Sequence, residues 1–391
     1  MRIAHVITRM IIGGAQENTL FNVDDQHFLH GDEVCLITGH THGPEGSLEQ
    51  RAKARGLDVK ILPELARSLN PLHDWKALKA IRRTLADYRP ELVHTHSSKA
   101  GILGRLAAHQ LQIPAVHTIH GASFHFGQNP ILHHAYRWSE RKAAHWCDHF
   151  ITVCNAMIDQ YVAAGVAPRE KFTTIYSGMD VDKFLSPSQS AAEIRAGLDI
   201  APTDIVIGKV ARLFHLKGHN YLIEAAAAVA AQVPNVRFLL VGDGVLKDHY
   251  QARIAELGLT SHFRFAGLVA PEAVTNYLHA MDAVVHTSDW EGLARVIPQG
   301  LLAGKPVISF DIDGAAEVCI HEETGLLVKH RDIEQLSGAM LRLAQDHELR
   351  RRLGNNGRHR FTEQFRHENM TARIRDVYQM VLHRRNETSG S

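Results

Sequence analysis

Cysteine is scarce in this chain: four residues, at 35, 147, 154 and 319, with no CxxC spacing. That excludes a disulfide scaffold, and scattered reduced thiols are what a cytosolic protein holds. Charge of one sign is lacking too. Lys+Arg 43 against Asp+Glu 42 leave a formal charge of +1, so no nucleic-acid partner is expected. No apolar run approaches the ~20 residues that cross a bilayer. The opening MRIAHVITRM meets Gly-Gly after a short apolar run and lacks a small-residue cleavage site, so it does not read as a signal peptide. Short repeats and low-complexity stretches are absent. What remains is a soluble globular composition, 45% hydrophobic and 22% charged over 391 residues, enough for two domains or three.

Histidine, by contrast, is plentiful, with 28 residues. Clusters stand at HTHG (40–43), HTH (94–96), HTIHG (117–121), FHF (124–126) and HH (133–134). Two at alternate strand positions could share a face and ligate a metal, but no cluster has Cys or carboxylates at the spacing of a closed zinc site. They are expected to be surface or site-lining groups, with no metal.

The first half alternates apolar strands (2–8, 33–38, 59–62, 92–96, 115–120, 150–154) with helical stretches at 15–30, 75–88, 99–111 and 132–146. A second series has strands at 205–210, 236–242, 263–267, 283–287, 306–310 and 325–328. This rhythm predicts two doubly wound α/β domains, each a parallel sheet covered on both faces, with ligands at the carboxyl ends of the strands in a cleft between facing domains. The expected division is 1–185, a small and polar linker at 186–203, and 204–368. A basic helix from about 369 to 385 either packs back on the first domain or stays solvated.

Three segments could do chemistry. IIGGAQENTL (11–20) puts two glycines between a strand and a helix, which lets backbone amides approach an anion but equally suits a plain tight turn. GKVARLFHLKG (208–218) places Arg212 and Lys217 just past a strand end. A guanidinium and an ammonium in one loop suit a diphosphate; the bland reading is two solvated cations. SDWEGLARVIPQGLLAGKPVI (288–308) sets Glu291 before a helix expected from about Ala294 and Gln299 two turns along it. The free amides of that first turn can hold oxygens, and carboxylate and carboxamide can both meet hydroxyls; alternatively Glu291 only complements the helix dipole.

Taken with LLVGDG, FAGLV, ETGLLV, ELVHTHSSKAGILGRLAA, VHTIHG and VCNAM, these segments resemble the retaining glycosyltransferases of family 4, from Arg2 to about Val381. The resemblance implies the GT-B fold, two Rossmann-like domains facing a cleft, and metal-independent transfer from a nucleoside-diphosphate sugar, UDP favoured over GDP, to an acceptor hydroxyl. It implies no cofactor. Arg212 and Lys217 would bind the diphosphate, with backbone at Gly14; Glu291 and the amides of Gly292, Leu293 and Ala294 would hold the donor sugar. His120 would line the reaction centre, and Leu268 would touch the base through its backbone. The second Glu of the family's E-x7-E motif, which binds the ribose, is Gln299 here. An amide loses a charge-assisted bond, a difference of ~1 kcal/mol, which implies weaker donor binding. Val245 stands where the family's GDGP has proline.

His96, Lys99 and Arg105 could meet an anionic or lipid-phosphate acceptor, or could be helix-start polar residues. The family's usual role in polysaccharide, lipopolysaccharide or glycolipid assembly implies a carbohydrate, lipid-linked or small-molecule acceptor. It also implies a cytoplasmic enzyme with peripheral contact at the inner membrane face. Two rivals stay open: a GT-B nucleotide-sugar epimerase, and a weakly active or non-catalytic partner subunit, motivated by Gln299. DID (311–313) and HRD (330–332) read as coincidences.

Overall fold

The computed structural model describes residues 1–391 apart from 42–45, 69, 125–126 and 390–391, so His42 and His125 of the histidine clusters lie outside the described residues. The chain forms two compact units, residues 1–179 with 365–391, and residues 180–364.

In the first unit, β1 (Arg2–Ile7), β2 (Glu33–Thr38), β3 (Asp58–Ile61), β4 (Leu92–His96), β5 (Ala115–Ile119), β6 (His149–Thr152) and β7 (Phe172–Thr174) make one parallel sheet. Its order is β3-β2-β1-β4-β5-β6-β7. Strands buried on both faces need no polar alternation, which is why these segments read as near-continuous apolar runs. One face, with Ala4, Val6, Ile37 and Val93, packs on helices Pro71–Tyr88 and Ser98–Gln110 through Ala77, Ile81, Leu85, Ala100 and Ala107. On the other, Ile3, Leu92 and Val116 meet Met370, Ile374, Val377 and Tyr378 of the terminal helix His367–Ser389. Helix Gly14–Phe28 covers that same face through Leu20 and Val23. β7 escapes the sequence reading because three residues, FTT, carry too little pattern.

In the second unit, β8 (Ile205–Val210), β9 (Val236–Val241), β10 (Phe263–Gly267), β11 (Ala283–His286), β12 (Val307–Phe310) and β13 (Gly325–Val328) pair in parallel in the order β10-β9-β8-β11-β12-β13. Residues 186–203, expected to be a linker, belong to this unit. They carry helix Ala191–Ala196, started by a Ser190–Glu193 capping box. Arg195 anchors it, donating to Asp282 at 2.8 Å and to the Ala280 carbonyl at 2.8 Å. Two prolines and many small residues suggest a connection, but one capping box and one guanidinium are enough to dock the segment.

Both sheets have a switch point, where successive connections leave in opposite directions: β1/β4 in the first unit and β8/β11 in the second. In open α/β sheets, ligands bind outside the strand ends there.

Candidate active site

At the switch point of the second unit, the loops after β8 and β11 interlock. The β8 loop ends in a short turn, His215–Lys217, and Gly218 with φ 61°. A Cβ at Gly218 would lie 1.8 Å from the Thr287 carbonyl oxygen, so only glycine lets the two loops touch. Thr287 Oγ1 donates to the Gly218 carbonyl at 2.7 Å. Across this seam Lys217 Nζ donates to Glu291 Oε1, and Ser288 Oγ reaches the same oxygen at 3.3 Å. Lys217 and Glu291, far apart in sequence, are thus brought together. Arg212 stays exposed on the same loop, its guanidinium carbon 5.1 Å from the Phe214 ring centre.

The backbone at Glu291 is pinned by a residue from a string that reads as coincidence: the Glu291 N–H donates to Asp313 Oδ2 at 2.8 Å, and Gly314 N–H to the Gly292 carbonyl at 3.0 Å. His330 and Arg331 of HRD likewise hold Asp289, at 2.9 and 2.8 Å. Burial pushes the Asp289 carboxyl up, but these two bonds outweigh it and hold the carboxyl below its ordinary range.

The helix after Glu291 starts later than expected. It runs Val296–Leu302 with Arg295 as N-cap, so the amides of Gly292, Leu293 and Ala294 belong to the preceding loop, not to a helix tip. Pro298 is the third residue of this helix, where its missing N–H has no intrahelical partner to lose; a start at Ala294 would have put it in the helix interior. Gln299 is half-buried on this helix, while Leu268 directly after β10 and Val245 are both exposed.

Three residues under the seam escaped sequence reading, which looked only past the strand ends. Lys209, in β8 itself, is 1% exposed and donates to Thr287 Oγ1 at 2.9 Å. Burial, with Lys217 nearby, lowers its pKa to about 7. His219 and His286 are buried beside it, and desolvation lowers His219 to about 2 and His286 well below its usual value. A lone lysine in the apolar run IVIGKV was the available signal.

At the switch point of the first unit, Thr8 Oγ1 and Ser97 Oγ meet at 2.8 Å, and Gly14 opens helix Gly14–Phe28 behind the N-cap Gly13. A cavity of about 690 Å³ opens there, lined among others by Arg9, Arg67, Ser98, Lys99, Gln128 and Tyr136. Lys99 is tied to Asp74 at 2.6 Å and also donates to the Ser68 carbonyl.

Two expectations need correcting. Arg105 does not face this cavity: it is 0% exposed, bonded to Glu140 at 3.1 Å and to the Gly101 carbonyl at 2.8 Å. Helix Ser98–Gln110 presses so close to the sheet, Gly101 against His117, that a side chain on its inner face must be buried. The strand histidines are not surface groups either. His5, His94 and His96 are 0% exposed and His117 3%. Burial holds His94, His96 and His117 well below the ordinary imidazole range and His5 at about 4. They tolerate burial as neutral rings because each finds partners.

His5 bonds to Gln26 at 2.9 Å and to His96 at 3.0 Å; His96 bonds to His120 at 3.1 Å; and His94 bonds to Tyr378 at 2.5 Å and to Thr118 at 2.7 Å. His5, His94 and His96 offer ring nitrogens within 4.8 Å of one another, the one such group among the described residues that could hold a metal ion. All six of those nitrogens already have hydrogen-bond partners, so an ion would have to break the network to bind. His120 sits half-buried just past β5, at the outer end of this network.

Comparison with known proteins accords with this geometry. The family described as "Glycosyl transferases group 1" matches residues 190–360, and "Glycosyltransferase Family 4" matches residues 27–183. The UDP-Gal:alpha-D-GlcNAc-diphosphoundecaprenol alpha-1,3-galactosyltransferase of Escherichia coli is 29% identical over 97% of this chain and 96% of its own. A D-inositol 3-phosphate glycosyltransferase of Streptomyces avermitilis is 26% identical over 96% of this chain and 83% of its own. Among solved structures, Anabaena HepE in complex with UDP and glucose superimposes with a TM-score of 0.82 at 21% identity, covering 97% of this chain and 100% of its own. WaaG, a glycosyltransferase involved in lipopolysaccharide biosynthesis, gives 0.74 at 16%, covering 96% and 99%. At those identities the two structures speak for the fold.

Proposed function

From the premise that the chain belongs to the glycosyltransferases of family 4, with the GT-B fold, we propose that it moves a sugar from a UDP-sugar to an acceptor hydroxyl with retention of anomeric configuration. The observation that carries this reading is the meeting of Lys217 with Glu291 at the switch point of the second unit. Paired in this way, each neutralises the other. A bound donor would part them, Lys217 turning with Arg212 to the diphosphate and Glu291 accepting from sugar hydroxyls.

Glycosidases place two carboxylates around the scissile bond; here Glu291 is engaged by Lys217, Asp289 by His330 and Arg331, and Asp313 by the Glu291 backbone. That favours a front-face displacement, in which the acceptor oxygen bonds to the anomeric carbon as the diphosphate leaves. A diphosphate oxygen takes the acceptor's proton. Arg212, Lys217 and the loop amides of Gly292, Leu293 and Ala294 stabilise the departing charge without a metal, an effect worth a few kcal/mol per donor group. Gln299 holds the ribose, the backbone at Leu268 the base, the backbone at Gly14 the diphosphate, and His120 contacts the sugar.

The acceptor enters through the cavity in the first unit. Arg9, Arg67 and Lys99 on its wall suit a phosphate-bearing acceptor, the class named for both relatives above. Helices Pro71–Tyr88 and Pro130–Ala144 contribute Asp74 and Tyr136 to that wall and carry exposed Leu72, Trp75, Ile131, Leu132 and Trp138. Apolar side chains interleaved with Lys79 and Lys142 suit the surface of an anionic bilayer, so a lipid-linked acceptor could be met where it is anchored. Among the described residues no helix is long and apolar enough to cross a membrane.

Glu291→Gln separates the roles. UDP binding measured by calorimetry should hold or tighten, because Lys217 is released, while sugar transfer falls at least tenfold. Lys217→Ala should weaken both. If Glu291→Gln weakens UDP as much as Lys217→Ala does, the seam does not divide donor sugar from diphosphate and the reading is wrong.

A further inference from the structure

The buried histidines of the first unit have a direction. A neutral imidazole has one donor and one acceptor nitrogen, so a chain of them must point one way along its whole length. Here Gln26 sets the sense. Its amide nitrogen donates to Asn22 Oδ1 at 2.8 Å and to the Tyr378 hydroxyl at 3.2 Å, which turns its carbonyl oxygen to His5 Nε2 at 2.9 Å. Rotating that amide alone by half a turn would set its oxygen against Asn22 Oδ1, and the opposite sense needs Asn22 turned with it. In this sense His5 Nε2 carries the proton and His5 Nδ1 accepts. His96 must then donate from Nε2 to His5 Nδ1 at 3.0 Å and accept at Nδ1. The remaining contact, His120 Nε2 to His96 Nδ1 at 3.1 Å, is left one polarity.

We propose that Gln26, His5 and His96 are positioning residues that lock His120 as its Nε2–H tautomer, which leaves Nδ1 as a hydrogen-bond acceptor. The burial that holds His5 and His96 neutral supports this, since a charged ring would donate from both nitrogens and break the order. A second arm reinforces Gln26. The Tyr378 hydroxyl accepts from it and so gives its own proton to His94 Nδ1 at 2.5 Å, and His94 Nε2 donates to Thr118 Oγ1 at 2.7 Å. Tyr378 belongs to the terminal helix and His5 to the first strand, so the ends of the chain meet at this amide. Resting on the transferase reading above, the lock gives His120 a defined role, in which Nδ1 accepts a hydrogen bond from a sugar hydroxyl and does not donate one.

Long-range ¹⁵N–¹H spectra of histidine-labelled full-length protein near pH 7 distinguish protonated from pyridine-type ring nitrogens. The His120 signals can be assigned by their loss in His120→Gln. The expected result is His5, His96 and His120 all neutral with Nε2–H. Gln26→Met, which removes the oxygen, should let His120 become a mixture of tautomers. An Nδ1–H or mixed His120 in the unmodified protein overturns the proposal, and so does a Gln26→Met spectrum in which His120 is unchanged. These readouts need no donor or acceptor, so they fail or succeed apart from the transferase reading. That reading is tested by whether sugar transfer drops several-fold in Gln26→Met.

Discussion

The pairing of Arg105 with Glu140 separates a structural role from a binding one. Arg105 is 0% exposed and Glu140 2%. Beyond their mutual bond, Arg105 donates to the Gly101 carbonyl and Glu140 accepts from Ser123 Oγ at 3.3 Å. Arg105→Met leaves the Glu140 carboxylate buried with a hydroxyl as its partner, and Glu140→Leu strands the guanidinium in the same way. Breaking one side of a buried pair costs about 3–5 kcal/mol, whereas replacing both by apolar groups of similar volume is often neutral. For a unit of this size that is a fall of roughly 10 °C in melting temperature for either single change. The double change should recover most of the loss, giving a coupling of at least ~2 kcal/mol in the cycle. Urea unfolding followed by tryptophan fluorescence in a Trp290→Phe background reports the first unit, where Trp75, Trp138 and Trp146 lie. If the two single losses simply add, or each is below 1 kcal/mol, the pair does not act as a buried unit and the reasoning fails. A double variant as stable as wild type that cannot bind acceptor would return Arg105 to the acceptor site.

Lys209 makes stability depend on pH. Its pKa falls from 10.5 to about 7 on folding, so the unfolded chain binds the extra proton between those values and stability rises with pH across that window. Below pH 7 the whole penalty is present. At ~1.4 kcal/mol per unit it amounts to a few kcal/mol. Lys209→Met should therefore gain on wild type most below pH 7, and lose a few kcal/mol of that advantage by pH 10; a pH-independent difference in urea midpoints would contradict the burial argument. Gln299→Glu restores the carboxylate of the family's motif and should lower the donor KM roughly fivefold with kcat within about twofold, the worth of one charge-assisted bond. An unchanged KM in initial-rate assays would remove Gln299 from the ribose site.

Strand positions were largely legible, because a strand buried on both faces writes itself as an apolar run of fixed length. IVIGKV and FRFAG match β8 and β10 residue for residue. The loop after β8 was legible through Arg212 and Lys217, set just past the strand end in GKVARLFHLKG, whereas the need for glycine at 218 shows only in its positive φ and its contact with Thr287. The start of the helix after Glu291 was not, since loop and first turn share the same small and apolar residues. Nor was the fate of Arg105, whose sequence neighbourhood, AGILGRLAA, does not say how closely its helix will approach the sheet.

Local pattern by itself determined that this chain makes two parallel α/β sheets and where the loops at their strand ends fall, because periodicity and turn chemistry act over a few residues. Only tertiary structure decided the pairings: Lys217 with Glu291, Asp313 under Glu291, Arg105 with Glu140, and the line from Gln26 to His120. Hydrogen bonds and ion pairs between distant segments depend on sheet order and on the depth to which each helix docks, and neither quantity is written in any short stretch of sequence.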